Sequence, residues 1–329
     1  VKIGLIGSTG HVSIATGGLR ELQGIEVAGM APGSAGESME KAAQLLDKAG
    51  FSAPRYDDGL RLIQEAKPDL VVIACHFGDH ARYAEEALRR GMHVFVEKPV
   101  ATTLADLEKV RLAYDTAGTR LAAMFGSRTT PAFRTAYQAV RQGKIGRIRL
   151  VQAQKSYRLG IRKAPYLSRD TYGGTIPWVG SHAIDWVLWF TGERFRSVYA
   201  THSREENRGH GDLEMSAQCQ FVMTGGIAAS VSVDYLRPES APTHGDDRIR
   251  IAGTEGVLEI RDQEVLLING EASGIQKLKL LESRNLFAEF VHSIEGRGEC
   301  TVSAEESFLC TEACLKARQS ADESRVVLF

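Results

Sequence analysis

An excess of either charge is missing from this chain. Its 329 residues carry 40 Lys and Arg against 41 Asp and Glu, a formal net charge of −1. Nothing here suits a polyanion, so nucleic acid is not an expected partner. No apolar run approaches the roughly 20 residues of a membrane span. The five cysteines, Cys75, Cys219, Cys300, Cys310 and Cys314, are scattered and odd in number. They form no CxxC or Cys/His cluster, so no zinc site is expected. Reduced thiols and a cytoplasmic location are the expectation. The stretch Val1-Lys2-Ile3-Gly4-Leu5-Ile6-Gly7 reads as a strand from the outset, without a signal-peptide layout. Repeats, low-complexity tracts and long linkers are absent as well.

What is present is alternation. Apolar strands at 1–6, 25–30, 70–74, 92–96 and 121–125 are interleaved with helical segments at 14–22, 38–48, 79–90 and 104–117. The segment Leu70–Ala74 is uniformly apolar, as a strand buried on both faces should be. Such alternation means right-handed βαβ units and a parallel sheet. After Phe125 the pattern changes. Helices at 131–142 and 183–190 are set among strands at 147–157, 197–201, 214–223, 227–235, 248–252, 257–260 and 264–268, and two helices, 283–295 and 303–323, finish the chain. The expected fold is an α/β Rossmann domain, residues 1–125, followed by an α+β domain, residues 126–329, with a largely antiparallel open sheet.

The first strand runs into Gly7-Ser8-Thr9-Gly10-His11-Val12. A dinucleotide fold needs a tight turn here and close backbone approach to a pyrophosphate. The pattern G-x-G-x-x-G is only partly met: Gly7 fits, Thr9 and Val12 stand at the other two glycine positions, and Gly10 comes one place late. Its position between first strand and first helix supports the reading. A carboxylate for the ribose 2′-hydroxyl is expected about 20 residues on, at the end of the second strand. Ala31 stands there instead. That absence tips the expected cofactor from NAD toward NADP, with Ser34 and Lys41 as the groups for a 2′-phosphate. The third strand ends in Cys75-His76 and is followed by His80, read as cofactor-lining or helix-capping residues rather than metal ligands.

The fourth strand ends in Glu97-Lys98-Pro99. A charged pair beside a proline at the carboxyl end of a buried strand is poor core material. In open α/β sheets that edge is where ligands bind. The proline restricts Lys98 to an extended or turn conformation. A solvated strand end is the alternative.

Taken together these pieces resemble the Gfo/Idh/MocA family of nicotinamide-dependent oxidoreductases, which includes glucose–fructose oxidoreductase and inositol dehydrogenases. The resemblance is carried by Gly91–Pro99, by Phe125-Gly126-Ser127-Arg128-Thr129-Thr130-Pro131, by Gly180-Ser181-His182-Ala183-Ile184-Asp185 and by Ile251–Gly256. It implies hydride transfer between NAD(P) and a carbinol or carbonyl carbon of a sugar, cyclitol or related polyhydroxy compound. It implies Lys98 and His182 as catalytic residues. It also implies Gly7 to Val12, Ala31, Ser34, Cys75, His76, His80, Glu97 and Lys98 along the cofactor. Substrate contacts are expected from Lys98, Arg128, Tyr157, Arg158, Tyr172, Trp178 and His182, with no metal. The family places an aspartate four residues before the histidine, and this chain has Trp178. Tryptophan neither ionises nor accepts a hydrogen bond. A glycosidase or lyase that oxidises its sugar transiently, or a non-catalytic binding protein on the same fold, therefore stays open beside the dehydrogenase. Arg158, Arg162, Lys163 and Arg169 cluster ahead of the His182 helix; a solvated loop face and a site for an acidic or phosphorylated sugar are both readings. The open sheet suggests a homodimer or homotetramer.

Overall fold

A computed structural model describes all 329 residues. They divide into two units, 1–126 with Asp170–Gly173 and Arg284–Thr311, and 127–169 with Gly174–Ser283 and Glu312–Phe329. The first unit thus recruits two later segments that a single cut near residue 125 leaves out.

Five parallel strands form the sheet of the first unit. They are β1 (Lys2–Ile6), β2 (Glu26–Ala31), β3 (Leu70–Ile73), β4 (His93–Val96) and β5 (Leu121–Ala123), in the order β2-β1-β3-β4-β5. A one-residue parallel bridge from Met30 to Arg55 continues the sheet beyond β2. The order reverses between β1 and β3, so the crevice outside the carboxyl ends of those strands is the expected ligand position. Helices α1 (Val12–Gly18), α2 (Glu40–Ala49), α3 (Gly59–Ala66), α4 (His80–Arg89) and α5 (Leu104–Ala117) lie among these strands in the chain. Helix α3 goes beyond the sequence reading. It is only eight residues long, but Asp58 caps it by accepting from the amides of Leu60 and Arg61, and it buries Leu62 and Ile63.

The recruited segments are held by specific contacts. Phe95 of β4 packs against Phe287 and Phe290, with ring centroids 5.1 and 5.3 Å apart. The hydroxyls of Ser307 and Thr311 accept from the amides of Ala123 and Val100 at 3.0 and 3.2 Å. Those amides would otherwise be buried without partners.

The second unit contains helices α6 (Pro131–Arg141) and α8 (Ser181–Thr191), between which the short α7 (Arg169–Tyr172) lies in sequence; α9 (Leu286–Ile294) and α10 (Ala304–Glu323) come last in the chain. Its sheet has nine strands: β6 (Ile148–Tyr157), β7 (Phe195–Ser203), β8 (Ser216–Met223), β9 (Ala228–Asp234), β10 (Gly245–Gly253), β11 (Gly256–Arg261), β12 (Glu264–Asn269), β13 (Gln276–Lys277) and β14 (Val327–Leu328). Every pairing is antiparallel except that of β6 with β9. Residues alternate: Ala217, Cys219, Phe221 and Met223 of β8 are buried, while Gln218, Gln220 and Val222 point outward. Helix α8 is buried from Ser181 through Phe190. A Cβ on Gly180 would lie 3.1 Å from Val233 of β9, so glycine lets the chain approach the sheet where α8 begins.

Candidate active site

At the switch point of the first unit the chain is tightly closed. Gly7 has φ +88°, and a Cβ there would lie 2.3 Å from the amide nitrogen of Cys75. Its own amide donates to the Ala31 carbonyl at 2.8 Å. No other residue type fits this turn. Gly10, at φ +55°, is similarly constrained: a Cβ would meet the Glu97 carboxylate at 2.7 Å. The late glycine of the loop therefore has its own reason for being where it is.

A carboxylate stands between this loop and the end of β2, and it comes from neither. Glu37 accepts from the Ser8 amide at 2.9 Å, the Thr9 hydroxyl at 2.8 Å and the Gly33 amide at 3.1 Å. Ser34, expected at a 2′-phosphate, instead donates to Asp79 at 2.7 Å and accepts from the His76 amide at 3.0 Å. Lys41 donates to the Gly10 carbonyl at 3.1 Å. The region beyond Ala31 thus holds the acids Glu37 and Asp79, with Lys41 as the cation nearest the loop. The sequence reading missed Glu37 because it lies six residues past Ala31; only the fold-back through Pro32-Gly33-Ser34 returns it to the loop.

The next edge is organised by Glu97. Its carboxylate is fully buried, accepts from the His11 amide at 2.6 Å and lies 2.9 Å from the His11 ring nitrogen Nδ1. Burial alone would push this carboxyl up. Its interactions with the His11 ring and amide, and with the neighbouring Lys98, outweigh burial and hold Glu97 down at about 2. Lys98 is 2% exposed, with Nζ 3.7 Å from Glu97 and 5.9 Å from the Phe77 ring centre. The Lys98–Pro99 peptide is cis. A solvated strand end is excluded by this burial. His80 is fully buried, with its ring nitrogens 2.8 Å from the Pro99 carbonyl and 3.1 Å from that of Cys75. It ties the two loops together, and burial pushes its pKa down. Both the His80 ring and the Cys75 thiol are therefore enclosed; burial pushes that thiol well up. Neither side chain offers a surface to a cofactor, which corrects their expected lining role. His76 stays half-buried.

In the second unit a buried network sets the approach to α8. Glu214, 1% exposed, accepts from the Thr175 amide at 2.9 Å and from Arg169 at 2.6 Å. Arg169 also reaches Asp322 at 2.8 Å. This fixes the turn at Gly174, φ +106°, which opens a π-helical turn over Ile176–Gly180. Such turns are frequent at functional sites. Trp178 sits in that turn and His182, 8% exposed, in the first turn of α8. The Trp178 indole stacks on Tyr166 with centroids 4.3 Å apart at 17°, and Tyr235 lies 6.0 Å away. Arg162 covers both rings, 5.4 Å from the Trp178 centre and 4.7 Å from that of Tyr235. Tyr157 stacks on His244 at 5.0 Å, close to Lys155.

Two expected substrate residues are placed elsewhere. Arg128 is fully buried and forked onto Asp185, with Nη2 to Oδ1 at 2.6 Å and Nε to Oδ2 at 3.1 Å. A guanidinium enclosed in this way is a core element and not a substrate contact. Tyr172 is 1% exposed and belongs to the first unit. The basic cluster also divides: Arg158 and Arg162 stay together, Arg169 is committed to Glu214, and Lys163 is exposed.

Comparison with known proteins agrees with both units. Residues 1–125 match the oxidoreductase family with an NAD-binding Rossmann fold, and residues 133–259 match the GFO/IDH/MocA C-terminal domain. The solved structure of an oxidoreductase candidate from Thermotoga maritima is 46% identical, covers 100% of both chains and superposes with a TM-score of 0.95. Inositol 2-dehydrogenase 1 of Saccharopolyspora erythraea is 26% identical over 100% of this chain and 97% of its own length. Levoglucosan dehydrogenase, solved in complex with NADH and L-sorbose, has a TM-score of 0.83 at 18% identity over 100% of this chain and 98% of its own; it shares the fold. Against two oxidoreductases of Bacillus subtilis and Escherichia coli the chain spans only 38% and 47% of the relatives' length. No helix is long and apolar enough to cross a membrane. With both its halves matched, the chain belongs to the Gfo/Idh/MocA family of oxidoreductases and has an NAD-binding Rossmann fold.

Proposed function

We propose that this protein is an NAD-dependent dehydrogenase that oxidises a carbinol carbon of a sugar, cyclitol or related polyhydroxy compound, or reduces the matching carbonyl. The observation that carries the reading is Lys98: a lysine 2% exposed, held beside Glu97 at the carboxyl edge of the sheet whose switch-point loop is Gly7–Val12. Bound NAD would accept or supply the hydride. The chain's own residues would do the rest. Gly7 and Gly10 give the loop its turn, with the Ser8 and Thr9 positions facing Glu37. Glu37 would accept from a ribose hydroxyl, and its charge beside Asp79 would repel a 2′-phosphate. This turns the cofactor preference toward NAD.

An alcohol carbon loses hydride only as its hydroxyl proton leaves. His182 would take that proton at a ring nitrogen, since imidazole titrates near neutral pH. The Lys98 ammonium would stabilise the developing alkoxide. Trp178 removes the family carboxylate from this chemistry, so His182 would work without it. Assembly through the open sheet, as a homodimer or homotetramer, belongs to the same proposal; the rows Gln152, Gln154, Gln218 and Gln220 on its outward face supply hydrogen-bonding groups for a partner sheet. Light scattering that finds only monomers would remove it. The central test titrates NADH and NADPH into the protein, following nicotinamide fluorescence, and then screens polyols and sugars for NAD reduction. Tight NADH binding with turnover of a polyol is expected. Failure of both nucleotides to bind would end the dehydrogenase reading.

A further inference from the structure

Most cations buried near the two candidate sites are matched. Arg128 has Asp185, Arg169 has Glu214 and Asp322, and Lys155 has Asp247 at 2.6 Å. Arg158 and Arg162 are different. The Nε atoms of both are buried without a hydrogen-bond partner, and neither guanidinium forms an ion pair. Arg162 donates through Nη2 to the Arg158 carbonyl at 2.9 Å, and Arg158 donates to the Ala241 carbonyl. Buried donors in folded proteins are rarely left over, so an unmatched pair side by side calls for an explanation. Nearby acids do not fill the gap: Asp247 meets Lys155 through Oδ2 and leaves Oδ1 without a partner, pairing with neither arginine, and Glu239 is exposed.

Position gives these donors meaning. Arg162 lies over the Trp178 and Tyr235 rings, at 5.4 and 4.7 Å from their centres, and Trp178 stands four residues before His182. His244 completes the group, its backbone carbonyl accepting from the Arg158 amide at 3.0 Å. Burial lowers the pKa of the His244 ring, and the charges of Arg162, Arg158 and Lys155 lower it further against the opposing effect of Glu239. Position 178 offers Arg162 no carboxylate. The indole instead supports the planar guanidinium and leaves its charge for a ligand. Guanidinium forks match carboxylate and phosphate oxygens, which sugars and cyclitols alone do not present.

We infer that Arg162 and Arg158, with His244, bind an anionic group of the substrate, so that the polyhydroxy compound handled at His182 is a sugar acid or sugar phosphate rather than a neutral polyol. The inference rests on the dehydrogenase reading only for the reaction, not for the binding. The test is calorimetric titration of the protein, with and without NADH, using glucuronate against glucose, galacturonate against galactose, and glucose 6-phosphate. An anionic member of a pair should bind at least 10-fold more tightly than its neutral partner, and more weakly as salt rises. Carboxylate over phosphate, or the reverse, identifies which anion. Arg162→Gln should cut anion affinity roughly 10- to 100-fold, the loss of one charged hydrogen-bonding group. Arg162→Lys should recover part of it. Arg158→Gln serves as a second variant if Arg162→Gln does not fold. Equal binding of neutral and anionic members, no binding of any anion, or wild-type anion affinity in both Gln variants would overturn the inference. NADH binding measured alongside tests the dehydrogenase reading separately, because anion binding without NADH binding would refute that reading and leave this one standing.

Discussion

Replacing Asp185 by alanine should be among the most damaging single changes in the second unit. The carboxylate and Arg128 are both fully buried, joined by contacts of 2.6, 3.1 and 3.2 Å, and Arg128 also faces the Trp189 ring at 5.3 Å. Removing one partner leaves a guanidinium in the interior, at a cost of about 3–5 kcal/mol. Against a total stability of roughly 5–15 kcal/mol, that is a large fraction. Replacing both, as Arg128→Met with Asp185→Leu, removes the charge together with its partner and should return stability to within about 1 kcal/mol of the original or better. Urea unfolding followed by tryptophan fluorescence suits the assay, because Trp178, Trp186 and Trp189 are the three tryptophans and all lie in the second unit. Trp186, which donates to Ser127 at 2.8 Å beside Arg128, reports the region directly. The double variant separates two ideas about Arg128. If it is a core element, substrate affinity survives in the folded double variant. A destabilisation below about 1 kcal/mol in Asp185→Ala, or loss of substrate binding in a stable double variant, refutes the reasoning.

Other outcomes follow from the first unit. Glu37→Gln can keep the Ser8 and Thr9 contacts through its one oxygen, sets an amide NH2 against the Gly33 N–H, and removes the charge; NADH should bind roughly 10-fold more weakly while NADPH gains, read by nicotinamide fluorescence, and an unchanged ratio would show Glu37 only laces the loop. Glu97 is held at about 2 from an ordinary 4.5, so its contribution is complete above pH 4.5 and lost as pH falls toward 2. That shift corresponds to at most about 3 kcal/mol. Thermal melts between pH 6 and 3 should show a steeper loss in the native protein than in Glu97→Gln; parallel curves would contradict the assignment. Lys98→Met should lose turnover by at least about 100-fold while still binding NADH, and retention of full kcat would remove Lys98 from the chemistry.

Several features were legible before any coordinates. The βαβ series gave the parallel sheet, because strands buried on both faces read as uniform apolar runs. The change of pattern after Phe125 gave a mostly antiparallel sheet. Glu97-Lys98-Pro99 stood out by its chemistry, since two charges at the end of a buried strand need a reason. The glycine loop was legible by place more than by motif, and the structure supplied the motif's cause in the clash of any Cβ at Gly7 or Gly10. Arg128 misled because a charged residue in a family motif reads as a ligand contact, whereas its buried partner lies 57 residues away at Asp185. His80 misled by its place after the third strand at the sheet's carboxyl edge, where its ring is instead taken up by the carbonyls of Cys75 and Pro99.

By itself the sequence determined the periodicities, and so the order of elements and the two kinds of sheet. It also set the types of residue at the strand ends, Lys98 above all. Tertiary structure alone decided which charges are satisfied and which are not. Glu37 reaches Ser8 and Thr9 because a turn past Ala31 folds it back onto the loop. Arg162 keeps an unmatched donor, and the Trp178 ring beside it offers no acceptor. Periodicity is a local property of the chain, and hydrogen-bond accounting in the interior depends on partners brought from far along it.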